Sequence, residues 1–240
     1  MANRLKMAEI DAVLRLHQQD WSIRRIAREL GIHRDSVARQ IRLAQQGSKQ
    51  AGAPVLYLGV GAGRLAVPLH AAGIELVGVD SHPGMLAHLR RRLSGLELIR
   101  SRIEDLRLDR RFELVMVPSN ILFTRARLER AAAHLAADGR LAFELANPHW
   151  LRAGAGTGVR IASMGERSAR LEIDYPLPDG EVYTQQARFA LIWPEQLEGW
   201  LSRSGLALQR MLGWPDRDLA GSPTFYGLAG KVSRGAVLDA

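Results

Sequence analysis

The 240-residue sequence contains no cysteine, which excludes disulfides, thiolate metal sites and thiol nucleophiles. It also lacks any run of about 18 uncharged apolar residues, so no membrane span is predicted. Near the start, Lys6, Glu9 and Asp11 interrupt the apolar stretch that a secretory signal requires. We therefore expect a cytoplasmic protein with no membrane partner.

What the chain does contain is typical of a globular protein, with 47% apolar residues, 23 glycines and a net charge of +8. This length accommodates one large domain, or a medium domain with a small appendage, without a structural metal. No metal site is predicted. Residues 1–50 hold ten Lys or Arg against five Asp or Glu, a net +5 of the total +8, so most of the excess positive charge lies in the first fifth of the chain.

Apolar spacing in this basic segment predicts three helices. Residues 6–19 form one amphipathic pattern, Ser22 can cap a second helix over 23–30, and Gly31 can supply a turn with positive φ. A third helix is expected over 34–44. The separation between small Ala27, Gly31 and apolar Val37 is typical of a helix-turn-helix.

Residues 6–44 resemble the N-terminal helix-turn-helix of insertion-sequence transposases that work with a helper ATPase. No carboxylate-rich integrase-type core follows, so the resemblance covers the head alone. A helix fits the major groove of duplex DNA, and arginines neutralise phosphates. We predict DNA contacts from the exposed side of the third helix, namely His33, Arg34, Ser36, Arg39 and Gln40. The alternative is a three-helix appendage that mediates protein contacts only.

A polar, glycine-containing stretch separates the head from the remainder. Residues 45–54 have the composition of a linker. We accordingly predict a helix-turn-helix over 1–46, a linker over 47–54, a large domain over 55–232 and a tail over 233–240.

The large domain begins with a strand, a glycine turn and a helix. An apolar run over 55–58 enters Gly59-Val60-Gly61-Ala62-Gly63, a helix is expected over 64–72, and a second strand over 75–80 ends in Asp80. Glycines let the backbone pass close to a ligand, and an acid at the tip of the second strand can accept hydrogen bonds from ribose hydroxyls. The pattern predicts a nucleoside-type cofactor at the carboxyl edge of a parallel sheet.

The third glycine comes one residue earlier than in a dinucleotide site. The set of this turn, Asp80, residues 81–86, a fourth strand within 112–120 and a loop over 136–139 before a fifth strand resembles the class I S-adenosylmethionine-dependent methyltransferase family, over about residues 54–232. The resemblance implies an α/β fold with a seven-stranded, mostly parallel, doubly wound sheet. It also implies S-adenosylmethionine as cofactor and a methyl acceptor, which we expect to be a small molecule.

The same resemblance implies the cofactor-binding residues. The predicted set is Gly59, Val60, Gly61, Gly63, Asp80, Ser81, Met85, Arg102, Ile103, Glu104, Pro118 and Ser119. The glycines would pass beneath the methionine part, Asp80 would bind the ribose, and Met85 and Ile103 would lie near the adenine. Pro118 and Ser119 would form the floor near the sulfonium.

Two residues depart from the family pattern. Tyr57 stands where the family usually has an acid that supports the methionine ammonium. Arg102 stands where an acid often receives the adenine amino group, and a guanidinium cannot accept that hydrogen bond. The contact is either lost or made by Glu104 or Asp105. Weaker cofactor affinity is expected, and a methyltransferase fold without activity is the alternative.

Catalytic candidates lie just after the fourth and fifth strands, where loops of open α/β sheets carry function. His149 could act as a general base, and Asn120 occupies the corresponding place after the fourth strand. A structural or solvent-facing role is the alternative for His149. Residues 147–150, Asn-Pro-His-Trp, partly match the Asn-Pro-Pro-Tyr of amino-methylating DNA enzymes, but follow the fifth strand instead of the fourth.

Three β-prone runs interrupt the alternation, over 158–163, 168–174 and 181–192. In similar methyltransferases such an antiparallel insertion covers a small-molecule pocket or forms a homodimer face. Tyr175, Tyr183 and Phe189 would then line a pocket, or else form the core of that layer. A sixth strand over 206–212 and a seventh over 225–230 complete the sheet.

Three functions follow from these patterns. The first is a small-molecule methyltransferase with an appended DNA-binding head. The second is a DNA-binding regulator whose body binds S-adenosylmethionine without turnover. The third is a nucleic-acid methyltransferase whose head supplies the target site.

Overall fold

The computed structural model describes residues 12–13, 16–17, 21–49, 53–154, 156, 158–177, 180–213, 219 and 221–232, and gives the backbone alone for 42–49. In the head, residues 12–13 and 16–17 are helical, and α1 (Ile23–Leu30) and α2 (Arg34–Lys49) follow. The other residues of the predicted first helix lie outside this part. The helix-turn-helix arrangement is therefore present over 23–41.

Local chemistry sets the turn of the head. The Ser22 hydroxyl accepts a hydrogen bond from the Arg25 amide, and Gly31 adopts φ +63° as its amide caps the carbonyl of Ala27. Ile26 of α1 and Val37 of α2 are fully buried in the same apolar cluster, which joins the two helices.

α2 ends at Lys49, five residues beyond the predicted end at Ala44. The segment expected to begin the linker is therefore helical. Gln45, Gln46 and Lys49 have good helix propensity, and no proline occurs before Pro54, so a linker-like composition did not stop the helix. The domain boundary itself stays a prediction.

The large domain is built on a seven-stranded sheet in the order β3-β2-β1-β4-β5-β10-β9. Its strands are β1 (Val55–Leu58), β2 (Leu76–Asp80), β3 (Glu97–Arg100), β4 (Phe112–Val117), β5 (Leu135–Ala146), β9 (Leu206–Gly213) and β10 (Thr224–Lys231). The five strands β1 to β5 pair in parallel, whereas β10 is antiparallel to both β5 and β9. This confirms the predicted doubly wound sheet.

β5 is longer than predicted, because residues 136–139, expected to form a loop, lie within it. Leu135 pairs with Phe112, and the register then shifts before Arg140 pairs with Leu114. Gly139 lies at this irregularity, where a Cβ would come within 2.7 Å of the Phe112 carbonyl oxygen. The extra residues are therefore accommodated as a bulge in the ladder.

Short helices cover the sheet, namely α3 (Ala66–Ala71), α4 (Pro83–Arg92), α5 (Arg125–Ala133), α6 (Pro148–Arg152), a 3₁₀ turn (Pro194–Gln196) and α7 (Leu197–Ser202). Two apolar clusters result. The larger contains Phe112, Leu128 and Phe225, and the smaller contains Val55, Leu86 and Leu89. Because the helices and these clusters cover the faces of the sheet, a ligand has to bind at the edge formed by the loops that follow the strands.

The predicted insertion is a separate antiparallel sheet of β6 (Val159–Met164), β7 (Ser168–Pro176) and β8 (Val182–Ala190). Phe189 packs against the cluster of Leu151 and Leu171, as expected of a core residue of this layer. Tyr175 and Tyr183 instead pair across the strands and are 44% and 57% exposed. The alternative that placed these two tyrosines in the layer's core is therefore wrong, because the far end of the hairpin extends beyond that core.

Within the part of the chain that the structure describes, no helix is long and apolar enough to cross a membrane. The same residues include no group of three or more metal-ligating side chains.

Candidate functional site

The glycine turn after β1 has the backbone geometry that only glycine adopts readily. Gly59, Gly61 and Gly63 have φ values of +76°, +55° and +92°. A Cβ on Gly59 would meet Ile121 Cδ1 at 2.2 Å, and one on Gly63 would meet Leu89 Cδ1 at 2.4 Å. A Cβ on Gly61 would have nothing within 4 Å. Close packing therefore explains why Gly59 and Gly63 lack a side chain, whereas Gly61 faces open space.

Asp80 at the tip of β2 is fixed by the backbone around it. Its Oδ2 accepts a hydrogen bond from the Gly61 amide at 2.8 Å, and its Oδ1 accepts one from the His82 amide at 2.9 Å. His82 in turn caps α4 by accepting from the Met85 amide. A carboxylate has about four acceptor positions, so two remain for a ligand.

An open cleft of about 720 Å³ lies beside this carboxylate, at the carboxyl edge of the sheet. Its lining residues are Gly59, Val79, Asp80, Ser81, Arg100, Ser101, Arg102, Ile103, Glu104, Ile121 and Arg127. Six of the predicted cofactor residues are thus brought together around one space.

The other six predicted cofactor residues do not line this cleft, namely Val60, Gly61, Gly63, Met85, Pro118 and Ser119. Val60 is buried beneath the turn, whereas Met85 is 45% exposed on the outer side of α4. Val60, Gly61 and Gly63 belong to the same turn as Gly59, and Ser119 lies two positions before Ile121, so these four adjoin residues that line the cleft.

The cleft is also lined by a charge network that the sequence did not predict. Arg127 Nε donates to Glu104 Oε1 at 2.7 Å, and Arg102 Nε lies 3.8 Å from the same carboxylate. Partial burial works to raise the pKa of Glu104, but hydrogen bonds from its own backbone and from Arg127 outweigh it and lower the pKa. Glu104 is therefore an ionised acceptor, and Arg102 is 68% exposed at its side chain.

The loop after β4 contains two consecutive non-glycine residues with positive φ, Ser119 at 69° and Asn120 at 53°. Asn120 is 8% exposed, its amide donates to the Glu144 carbonyl, and its Oδ1 accepts from the Ala146 amide at 3.0 Å. Asn120 thus holds a strained turn in place, a structural role alongside the catalytic one considered from the sequence.

Three side chains surround this turn. The Ser119 hydroxyl accepts a hydrogen bond from Arg64 Nη2 at 3.2 Å, and the Ser119 backbone amide donates one to Glu144 Oε2 at 3.0 Å. Tyr57, 3% exposed, is close enough to Arg64 and Glu144 to feel the charge of both. Burial raises the pKa of Tyr57 to about 12, with Arg64 opposing this effect and Glu144 and Asp80 adding to it.

His149 is the second residue of α6, three positions after the end of β5, and its Nε2 lies 2.5 Å from Glu195 Oε1. The ring also meets the face of Trp193 edge-on, with centroids 5.0 Å apart. A hydrogen bond from its own backbone N–H lowers the pKa of the Glu195 carboxyl, desolvation opposes this effect, and the hydrogen bond and charge of His149 lower the pKa further. Sequence reasoning missed Glu195 because 46 positions separate the pair.

The predicted DNA-contact residues share the start of α2. His33, Arg34 and Arg39 are exposed, and Ser36 and Gln40 are half-buried. His33 lies just before the helix and its ring nitrogen accepts from the Asp35 amide at 3.4 Å. These five side chains therefore reach solvent to different degrees around the first turns of α2, while Val37 and Ile41 face the core.

Comparison with protein families gives two matches. Residues 55–139 match the family model described as a methyltransferase domain, and residues 6–54 match a homeodomain-like domain. Comparison with curated proteins gives no match.

Solved structures resemble the chain over most of its length. The CcbJ methyltransferase from Streptomyces caelestis is 23% identical, with 80% of this chain and 94% of that chain covered at a TM-score of 0.61. The glycopeptide N-methyltransferase MtfA complexed with S-adenosyl-L-homocysteine is 19% identical, with 80% and 86% covered and a TM-score of 0.60. CalS10 from Micromonospora echinaspora, an amino pentose methyltransferase with bound S-adenosylmethionine, is 19% identical, with 97% and 100% covered and a TM-score of 0.56.

The open face at Gly61, beside the Asp80 carboxylate, leaves room for a ligand at this edge of the sheet. The large domain has the fold of the S-adenosylmethionine-dependent methyltransferases, preceded by a homeodomain-like helix-turn-helix head.

Proposed function

We propose that this protein transfers a methyl group from S-adenosylmethionine to a small-molecule acceptor. The observation that carries the proposal is the cleft in which the glycine turn, Asp80 and the Ile103 loop meet at the carboxyl edge of the sheet. In open α/β sheets this edge is where ligands bind.

The adenosyl group would lie in the wider part of the cleft. Asp80 would accept hydrogen bonds from the ribose hydroxyls with the acceptor positions left by Gly61 and His82. Buried Ile103 would contact the adenine. Because Glu104 is ionised, it supplies the adenine amino group with the acceptor that Arg102 cannot provide.

When bound, S-adenosylmethionine supplies a sulfonium methyl group, whose C–S bond breaks as the acceptor's electron pair forms the new bond and the sulfur keeps the old pair. The chain has to align the acceptor and receive its proton. His149 fits that second task, because Glu195 accepts from Nε2–H and leaves the Nδ1 lone pair available. Among the described residues, Nδ1 has no hydrogen-bond partner.

The names of similar structures favour an amine as the acceptor. MtfA is a glycopeptide N-methyltransferase, CalS10 is an amino pentose methyltransferase, and KedS8 from Streptoalloteichus is a sugar N-methyltransferase. An ammonium substrate has to lose a proton before it can attack, which gives His149 a role.

The test is a turnover assay with labelled S-adenosylmethionine on two acceptor pools, one of amino sugars and amine-bearing peptides, the other of duplex and single-stranded DNA. Label transfer to the first pool is the expected result. Transfer only to DNA would make the protein a nucleic-acid methyltransferase. Cofactor binding without transfer to either pool would favour the regulator.

A second function, duplex DNA binding, is favoured by the exposed basic start of α2. Each lost phosphate contact reduces the slope of log affinity against log salt by about 1. We expect Arg39→Ala to produce that change, with Arg203→Ala in the large domain as the matched control. A salt-independent affinity would show that the head does not bind duplex DNA through its phosphates.

A further inference from the structure

The residue that usually supports the methionine ammonium in similar enzymes is replaced here by Tyr57. Its phenol is buried and stays protonated at neutral pH, so it offers no negative charge to a cation. A cofactor with a zwitterionic amino-acid end therefore needs its charges met elsewhere. The inference below rests on the proposed cofactor.

Glu144 is a negative charge that acts on Tyr57, more strongly than Asp80 does. It lies on β5 and is half-buried, and one carboxylate oxygen accepts the Ser119 amide at 3.0 Å. No Lys, Arg or His of the described residues forms an ion pair with it. Most of its acceptor capacity therefore stays available to an ammonium group.

Arg64 supplies a positive charge next to Ser119. It directly follows the glycine turn, and its Nη2 donates to the Ser119 hydroxyl at 3.2 Å. Within the described part of the chain, Arg64 also forms no ion pair with a carboxylate. Its guanidinium keeps further donors, which can bind a carboxylate in pairs.

Ser119 thus contacts the Glu144 carboxylate through its backbone amide and the Arg64 guanidinium through its hydroxyl, and neither charge has an ion-pair partner among the described residues. The arrangement depends on the left-handed conformation of Ser119 and Asn120, which is unfavourable for residues other than glycine. Buried hydrogen bonds of Asn120 hold that conformation. Such strain is concentrated where a fold positions groups for a ligand.

The position also agrees with the cleft. Gly59 and Ile121 line it, and they adjoin the glycine turn that precedes Arg64 and the turn that contains Ser119. Ile103 lines the same cleft, and the adenine would lie beside it. With the adenine there, the amino-acid end of the ligand would extend past Gly59 to Ser119.

We propose that Glu144 and Arg64 bind the ammonium and the carboxylate of the methionyl end of S-adenosylmethionine, with Ser119 holding both side chains in place. The ammonium support has thus moved from β1, where Tyr57 stands, to β5. This assigns two specificity-determining residues that distinguish an amino-acid-bearing nucleoside from a plain one.

Three ligands test each charge separately by isothermal titration. S-adenosylhomocysteine carries both charges, decarboxylated S-adenosylmethionine carries the amine without the carboxylate, and 5′-methylthioadenosine carries neither. Glu144→Gln retains an acceptor for the Ser119 amide, so it removes the charge and leaves the turn. Glu113→Gln, an exposed carboxylate on β4, and Arg203→Gln are the matched controls.

We expect Glu144→Gln to weaken S-adenosylhomocysteine and the decarboxylated ligand by about 10- to 100-fold each. Arg64→Gln should weaken S-adenosylhomocysteine alone. Binding of 5′-methylthioadenosine should stay within about twofold in both variants, which also reports that the adenosine end is still folded.

Equal weakening of all three ligands, or no weakening of any, would overturn the assignment while leaving the cofactor site itself in place. Equal affinity of the unaltered protein for the three ligands would do the same. If the unaltered protein binds none of them, the proposed function fails, and this assignment fails with it.

Discussion

The carboxylate of Asp80 accepts a hydrogen bond from the amide of Gly61 at 2.8 Å and so joins the tip of β2 to the glycine turn after β1. The two strands are parallel neighbours, with Leu58 opposite Val79, which brings both ends to the same edge of the sheet. Asp80 consequently has two tasks, since it fixes the turn and offers its remaining acceptor positions to a ribose.

Asp80→Asn should remove the thermal response to cofactor. A ligand at 100 times its Kd stabilises the native state by about 2.7 kcal/mol, which for this chain length raises Tm by about 5–10 °C. The neutral amide is a weaker acceptor for ribose hydroxyls, so we expect the rise with S-adenosylhomocysteine to shrink to about 1 °C. Differential scanning fluorimetry measures it, and Asp138→Asn on the exposed part of β5 is the control. A full rise in Asp80→Asn would contradict the ribose contact.

The three glycines of the turn should respond differently to alanine. Each substitution places a Cβ on a residue with positive φ, at a cost of about 1–2 kcal/mol. Gly63→Ala also drives a Cβ to 2.4 Å from Leu89, which is fully buried, and such overpacking adds about 1–3 kcal/mol. Gly61→Ala meets no protein atom within 4 Å, so the remaining cost falls on the ligand.

Urea unfolding and cofactor titration separate these effects. Gly63→Ala should lose more unfolding free energy than Gly61→Ala, whereas Gly61→Ala should lose more affinity for S-adenosylhomocysteine relative to its change in stability. Equal stability loss in the two variants would show that the Leu89 contact is relieved at no cost.

The elements that the sequence predicted correctly are those with local signals. The strand, glycine turn and helix around Gly59, and the acid at the end of β2, are each defined by residues within about one element of each other. The helix extending through Lys49 and the strand extending through residues 136–139 were missed because linker-like composition lowers helix or strand propensity without forbidding either.

The contacts that complete the site had no local signal. Ser119 meets Glu144 across 25 positions and Arg64 across 55, and His149 meets Glu195 across 46. Only the order of the strands brings these positions to one edge. Glu144 alternates with the buried residues Phe143 and Leu145 along β5, so the sequence indicates that it faces away from them, but not what it meets.

His149 and Glu195 should affect the methyl-transfer rate without affecting cofactor affinity. General-base groups contribute about 10²- to 10⁴-fold, so His149→Gln should lower kcat by at least about 100-fold. Glu195→Gln should lower it less, because the histidine would remain but lose its orientation. Steady-state kinetics and titration with S-adenosylhomocysteine measure the two effects, and Glu198→Gln on α7 is the control. A lowered affinity with unchanged kcat would reassign the pair to binding.

His134 should make the stability of the large domain depend on pH. It is 2% exposed, its Nε2 accepts from the Leu108 amide, and Nδ1 then donates to the Arg130 carbonyl at 2.8 Å. Burial, followed by nearby arginines, lowers the pKa of His134 below its ordinary 6.5. Because the unfolded chain then binds more protons than the native one, stability is complete above pH 6.5 and falls as the pH drops toward the native pKa.

Urea unfolding from about pH 8 to pH 5 should show this decline. His134→Gln keeps a donor and an acceptor but should lack that part of the decline, whereas exposed His88→Gln should keep it; identical profiles for His134→Gln and the unaltered protein would refute the assignment.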